Sequence, residues 1–499
     1  MALEEDDSEY DKISVTLVDC PGHSSLIRTI MGGACIIDMI VLVVDVTKGI
    51  QPQTAECLIL ATITTEKLLI VLNKIDLIPE DLKASEIDKR TKEVHAKLAG
   101  TRFTNAQFVC VSALTSEGVE QIGRSIHDMF IHDRPVRSKE GPLLIAVDHC
   151  FPIKGKGTVL TGTVLHGQVK VGETIEFPAL NVSKKVKSIQ SFHKTVQEAS
   201  QGDRVGLCVA GLNPELIERG VAASPQSLQL NWAAIAIVKK VDEFQLSCES
   251  NSKCHVTVGH ATTMALVHFF GGKRISVAEA TSEFSIMSLS AGKSVFPTVE
   301  FNFEEEYEYQ KKLVDGYQWA LLRFEQHVLC PPSSLVIGSR LDADVSSPTC
   351  RIAFCGRIVH TFPVTSSAQF TPNQQFQELE KIKILKPKKK TGTVEKLLDQ
   401  NVAIVKGLFK KESDMSAFLN MYVCTAHATG RLESGFGKSG KARVQFTNAP
   451  AVNEQVWLEY SKLLFNRTKK LYQRREPKTT KPQNPKTPKP QNPDSSFIL

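Results

Sequence analysis

From residue 13 to about 133 the hydrophobic positions alternate between two periods. Apolar runs at 13–18, 38–44, 67–72 and 107–112 have strand length, and between them apolar residues recur every three to four positions at 23–33, 52–63, 83–98 and 117–130. The first pattern suits buried strands and the second amphipathic helices. Strands alternating with helices predict a doubly wound parallel sheet covered on both faces, an α/β fold. The unit closes at the polar Asp133-Arg-Pro-Val-Arg137. From Pro142 onward short strands are separated by glycines, at 143–148, 157–164, 172–177, 182–188 and 204–209, a texture that predicts a small antiparallel barrel. A second β region runs from about Trp232 to His360, and its acidic run Glu304-Glu-Glu-Tyr-Glu308 reads as a solvated excursion. A polar linker at 365–377 leads to a basic, β-rich segment that opens with Lys381-Ile-Lys-Ile-Leu-Lys-Pro-Lys-Lys-Lys390 and closes near Phe446. Repeats of Lys-Pro-Gln-Asn-Pro at 481 and 489 cannot bury a core, so a disordered tail is expected. The implied domains are 1–138, 141–225, 229–362, 378–448 and a tail 449–499.

Candidate chemistry gathers at the carboxyl ends of the predicted parallel strands, where an open α/β sheet binds ligands. The stretch Val15-Thr-Leu-Val-Asp-Cys-Pro-Gly-His23 delivers Asp19, Cys20, Pro21, Gly22 and His23 to a tight turn. Asp19 could hold Mg2+ through a water, Gly22 lets its N–H approach a γ-phosphate, and His23 could orient an attacking water. By itself D-x-x-G is often only a turn. Downstream, Leu68-Leu-Ile-Val-Leu72 runs into Asn73-Lys74-Ile75-Asp76, the N-K-x-D pattern. A carboxylate at Asp76 can accept from guanine N1–H and its exocyclic amine, a donor pair adenine lacks. Lys74 would lie along the base, and Asn73 would tie its loop to the neighbours. Phe108-Val-Cys-Val precedes Ser112 and Ala113, whose backbone could cap guanine O6. Three strand-end motifs in this order predict a GTP-binding domain.

Composition refines this little. Net charge is +6 with 23% charged residues, and the basic excess lies late in the chain, where a polyanion could bind. The twelve cysteines are scattered without C-x-x-C, as reduced thiols in an intracellular protein would be. Cys350 and Cys355 lack the further ligands a zinc site needs. The acidic start, Glu4-Glu-Asp-Asp7, is unlike a secretory or mitochondrial leader. The apolar stretch 36–46 is interrupted by Asp38 and Asp45 and falls short of the ~20 residues of a membrane span. Gly155-Lys-Gly-Thr158 and Gly437-Lys-Ser439 look like phosphate-loop fragments, but neither follows a buried strand and opens a helix.

The guanine motifs together with Gly155-Lys-Gly-Thr-Val-Leu-Thr-Gly-Thr163, Val147-Asp-His-Cys150, Gln201-Gly-Asp-Arg204, Val258-Gly-His260 and Gly435-Phe-Gly-Lys-Ser-Gly440 give the chain a resemblance to translational GTPases of the elongation factor Tu class. Within that class it is most similar to selenocysteine-specific elongation factors of the eukaryotic type, over about residues 13–446. The resemblance implies a P-loop-type GTPase domain followed by β-barrel domains, GTP and Mg2+ as cofactors, and delivery of selenocysteyl-tRNA to a ribosome paused at UGA. It also implies a selenoprotein mRNA hairpin and its binding protein as partners, a monomer, and a cytoplasmic location with the nucleus left open. An aminoacyl pocket would fall on Asp148, His149 and Arg204. Selenocysteine is largely ionised at neutral pH, so Arg204 and His149 would attract a selenolate that serine cannot imitate, with Asp148 orienting the cations. The plain alternative makes Arg204 a barrel salt-bridge partner and His149 a solvent-facing residue.

The family's phosphate loop and first switch should precede Val15, but only fourteen residues do so and none fits. The GTPase domain is therefore expected to be incomplete, through a missing amino-terminal stretch or a lapse of turnover, and the intact Asp19, His23, Asn73 and Asp76 favour the first. GTP turnover by the chain as written is expected to be impaired. The competing reading is a non-hydrolysing RNA-binding protein that uses Lys386, Lys388, Lys389 and Lys390 to neutralise phosphates.

Overall fold

A computed structural model describes residues 15–19, 37–131, 135, 137–155, 157–217, 219–259, 261–271, 299–331, 333–342, 350–364, 372–437, 439–466 and 471–473. They fall into two compact units, Met1–Glu305 with Gln310–Glu378, and Glu306–Tyr309 with Leu379–Leu499.

The first unit opens with a parallel sheet of β1 (Met39–Asp45), β2 (Lys67–Asn73) and β3 (Gln107–Val111), in that spatial order. The connecting helices are α1 (Pro52–Thr64), α2 (Glu80–Leu98) and α3 (Val119–Ile131). Successive β2 side chains point to opposite faces, so Leu68, Ile70 and Leu72 pack with Leu58, Val94 and Leu98 from α1 and α2. Leu69 and Val71 pack instead with Ile122, Ile126 and Met129 of α3. A strand apolar on both faces is what a doubly covered sheet requires. The expected strand at 13–18 is corrected over its described part: Val15–Val18 form no strand and are exposed. Among the described residues nothing pairs with the outer edge of β1, where Val43 is 57% exposed, and apolar sequence without a ladder partner does not make a strand.

Two barrels complete this unit. In the first, Arg204–Val209 pairs with both Gly157–His166 and Val182–Ser191, closing six strands around Ile145, Leu160, Phe177 and Leu207. Gly162 is required by proximity, since a Cβ there would sit 2.2 Å from the Ala146 carbonyl oxygen. The fragment at Gly155 is the turn of a β-hairpin, as the strands on either side pair antiparallel. In the second barrel Ser252–Val258 pairs with both Ala261–Gly271 and Leu335–Ser339, again closing six strands. Leu60 of α1 joins this barrel's core. Beside it Arg351 clasps Glu56 of α1 through Nη2 (2.7 Å), Nε (3.1 Å) and the backbone N–H (3.0 Å). Its hydrogen bonds to the Glu56 carboxylate raise the Arg351 pKa above its ordinary value.

The second unit is a third closed six-stranded barrel. Ile384–Asp399 pairs with Val402–Lys406 on one side and Gln455–Leu463 on the other, around Val394, Val405, Leu432, Val444 and Leu458. Two expectations are corrected here. The tail does not begin at 449, because Gln455–Leu463 is an integral strand that alternates Val456 and Leu458 inward. The acidic run is an excursion only at Glu304–Glu306; Tyr307 and Tyr309 are buried, and Tyr307–Gln310 is a strand paired in parallel with Ile384 and Leu385. Its charges conceal an alternation with the tyrosines inward and Glu308 outward.

Candidate functional site

The carboxyl ends of the three parallel strands lie side by side, with Asp45 opposite Asn73 and Asn73 opposite Val111. Asn73 Oδ1 accepts from the N–H of Lys74 (2.8 Å) and of Ala113 (3.0 Å), binding the N-K-x-D loop to the Ser-Ala loop. Lys74 adopts a left-handed backbone (φ 69°) and sends Nζ to Asp45 Oδ2 at 2.8 Å. Burial works against ionising Asp45, but the hydrogen bonds from Lys74 and Thr47 outweigh it and hold the carboxyl below the usual range. Asp76 is exposed on the 3-10 turn Ile75–Leu77 that follows. Ser112 is fully buried; its N–H donates to Glu117 O and its Oγ accepts from Thr115 N–H, which fixes the loop that presents the exposed Ala113. Asn73, Lys74, Asp76, Ser112 and Ala113 thus belong to one loop cluster. Asp45 is a member that motif reading missed, because only the strand register sets it beside Lys74.

Asp19 is exposed, and no hydrogen bond joins it to this cluster among the described residues. Cys20, Pro21, Gly22 and His23 lie outside the described residues. No group of three or more His, Cys, Asp or Glu that could hold a metal occurs among the described residues. A lone Asp19 is compatible with Mg2+ only in the manner in which that ion keeps its waters and takes nucleotide phosphates as the remaining ligands.

On the first barrel, Arg204 stands opposite Thr163, and its Nη1 donates both to Asp148 Oδ2 and to Thr163 Oγ1 (3.2 Å). Asp148 is the extra residue of a bulge, since Val147 faces Gly162 and His149 faces Thr161. A bulge re-aims side chains in this way. Arg204 and Asp148 retain 31% and 19% exposure, and His149 is exposed beside them. Thr163 is a further partner that the sequence carried only as the last residue of the glycine-rich stretch.

On the third barrel the four lysines part company. Lys389 pairs with Glu459 (2.8 Å) and covers Trp457, while Lys390 donates to Leu408 O (3.2 Å) over Phe409 and Phe418. Burial, with help from Lys410, lowers the Lys390 pKa. Lys386 lies over the Tyr309 ring at 4.3 Å, opposite Lys462, and Lys388 is exposed opposite Tyr460.

Residues 2–152 match the elongation factor Tu GTP-binding domain, 157–221 its domain 2, 235–356 the third domain of eukaryotic selenocysteine-specific elongation factors, and 380–488 the eEFSec C-terminal RIFT domain. The chain is 40% identical over 457 residues to the mouse selenocysteine-specific elongation factor, covering 87% of this chain and 76% of that one. It is 35% identical over 261 residues to the Methanocaldococcus jannaschii factor of the same description, covering 52% and 55%. Among solved structures, Methanococcus maripaludis translation elongation factor SelB bound to the GTP analogue GppNHp superposes with a TM-score of 0.66 at 26% identity, covering 89% of each chain. No described helix is long and apolar enough to cross a membrane. The chain belongs to the selenocysteine-specific elongation factors, a family of translational GTPases.

Proposed function

We propose that the chain binds GTP at the loop cluster around Asn73 and Asp76, carries selenocysteyl-tRNA with its amino acid at Asp148, His149 and Arg204, and delivers it in the cytoplasm to a ribosome paused at UGA. The observation that carries the reading is the half-exposed Arg204–Asp148 pair on the bulge. Nη1 is engaged by Asp148 and Thr163, and among the described residues no other hydrogen bond holds the guanidinium fork, which leaves it to an anion. A selenolate can add a charge-assisted contact to it, which an uncharged serine hydroxyl cannot. In this reading Asp76 would select guanine, Asp19 would help hold Mg2+, which would neutralise phosphate charge, and His23 would orient the attacking water. Lys386 and Lys388, with Lys462 across the ladder, supply phosphate contacts to the mRNA hairpin or to tRNA, while Lys389 and Lys390 brace the barrel. The factor acts as a monomer.

The test is the affinity of the Arg204→Ala variant for one tRNA charged with selenocysteine or with serine. Loss of a charge-assisted contact is expected to shrink the preference roughly tenfold or more. An unchanged preference would remove Arg204 from the pocket.

A further inference from the structure

Where the end of α1 meets both barrels of the first unit lies a cavity of about 280 Å3. Ile63 comes from the helix, Leu144 from the first barrel and Leu335 from the second, and the walls are largely apolar. The ionisable side chains lining it are all basic, Arg219, His327 and Arg357, and among the described residues no carboxylate lines it. Arg357 donates from Nη1 to Ser333 O at 2.9 Å, while its Nε is buried and finds no hydrogen-bond partner among the described residues. Burial pushes its pKa below the ordinary arginine value, and among the described residues no neighbouring carboxylate offsets it. A desolvated cation lacking a counter-charge is costly, and an apolar cavity at a junction of domains with convergent polar groups is the usual form of a ligand site.

We propose that this cavity takes a small amphiphilic carboxylate, with its hydrocarbon part between α1 and the two barrels and its charge beside Arg357. At the ~30 Å3 a water molecule occupies in the liquid, the space suits about nine or ten non-hydrogen atoms, the size of an eight-carbon acid. Such a ligand touches segments far apart in sequence, so binding stabilises the assembled unit by mass action.

Octanoate, octylamine and octanol, each titrated into the full chain below the concentration at which it self-associates, separate the possibilities. Calorimetry is expected to give one saturable octanoate site, at least tenfold tighter than octylamine, with a rise in Tm. Arg357→Gln should bring octanoate down to the level of octanol. Because that variant also loses a bond to Ser333, Ala179→Trp on the exposed rim provides a second test, filling the cavity and abolishing binding of both octanoate and octanol. Absence of a saturable octanoate site, octylamine binding as tightly as octanoate, or undiminished octanoate binding in Ala179→Trp would overturn the proposal.

Discussion

Arg351 and Arg204 each meet a carboxylate, yet the Arg351–Glu56 pair is 5% and 10% exposed and the Arg204–Asp148 pair 31% and 19%. Arg351 is sealed, with both Glu56 oxygens occupied by its guanidinium and backbone, and it joins α1 to the second barrel. Arg204 sits on a barrel surface, with one nitrogen shared between Asp148 and Thr163. The same ions therefore serve two purposes. A buried pair with satisfied geometry fixes an arrangement and is intolerant of losing one partner. A half-open pair is worth little to stability but keeps an arginine pre-oriented and able to change partner.

That contrast can be broken first at Glu56. Glu56→Gln leaves the Arg351 charge buried and should cost about 3–5 kcal/mol in urea unfolding of the first unit, whereas Glu56→Met with Arg351→Leu should recover most of the loss. A cost under about 1 kcal/mol for Glu56→Gln would mean that the pair is not the clasp described here. Arg204→Ala should change unfolding stability by less than about 1 kcal/mol while it alters tRNA preference, which separates recognition from folding. The smallest effect is expected at Asp45. Its carboxyl is depressed in the folded state, so its contribution is present above the ordinary carboxylate range and is lost as pH falls through its lower folded value. Stability curves of wild type and Asp45→Asn should differ by at most about 1 kcal/mol near neutrality and converge in strong acid, given the partial exposure of its Lys74 partner.

Much of this was legible because it was local. The parallel strands, their helices and the Asn73–Asp76 loop announce themselves within a few residues, where period and turn chemistry suffice. What was not legible depends on distant register. Asp45 reaches Lys74 only because β1 and β2 align, Thr163 meets Arg204 only across a ladder, and Glu56 and Arg351 stand 295 residues apart. Gln455–Leu463 was hidden by the basic, proline-rich stretch that follows it, and Tyr307–Gln310 by its interleaved glutamates. Val15–Val18 erred the other way, since strand-like composition does not supply a neighbouring ladder.

The central claim is that the Arg204–Asp148 site on the first barrel reads the charge of the amino acid rather than its size. The most direct measurement is the affinity of the wild-type chain for one tRNA charged with selenocysteine, cysteine or serine, followed from neutral pH upward past about 8.5, where an ordinary thiol ionises. The account predicts that the cysteine-charged tRNA rises toward the selenocysteine value over that interval while the serine-charged form stays weak. Equal affinities at every pH, or a cysteine form that does not respond to ionisation, would contradict it.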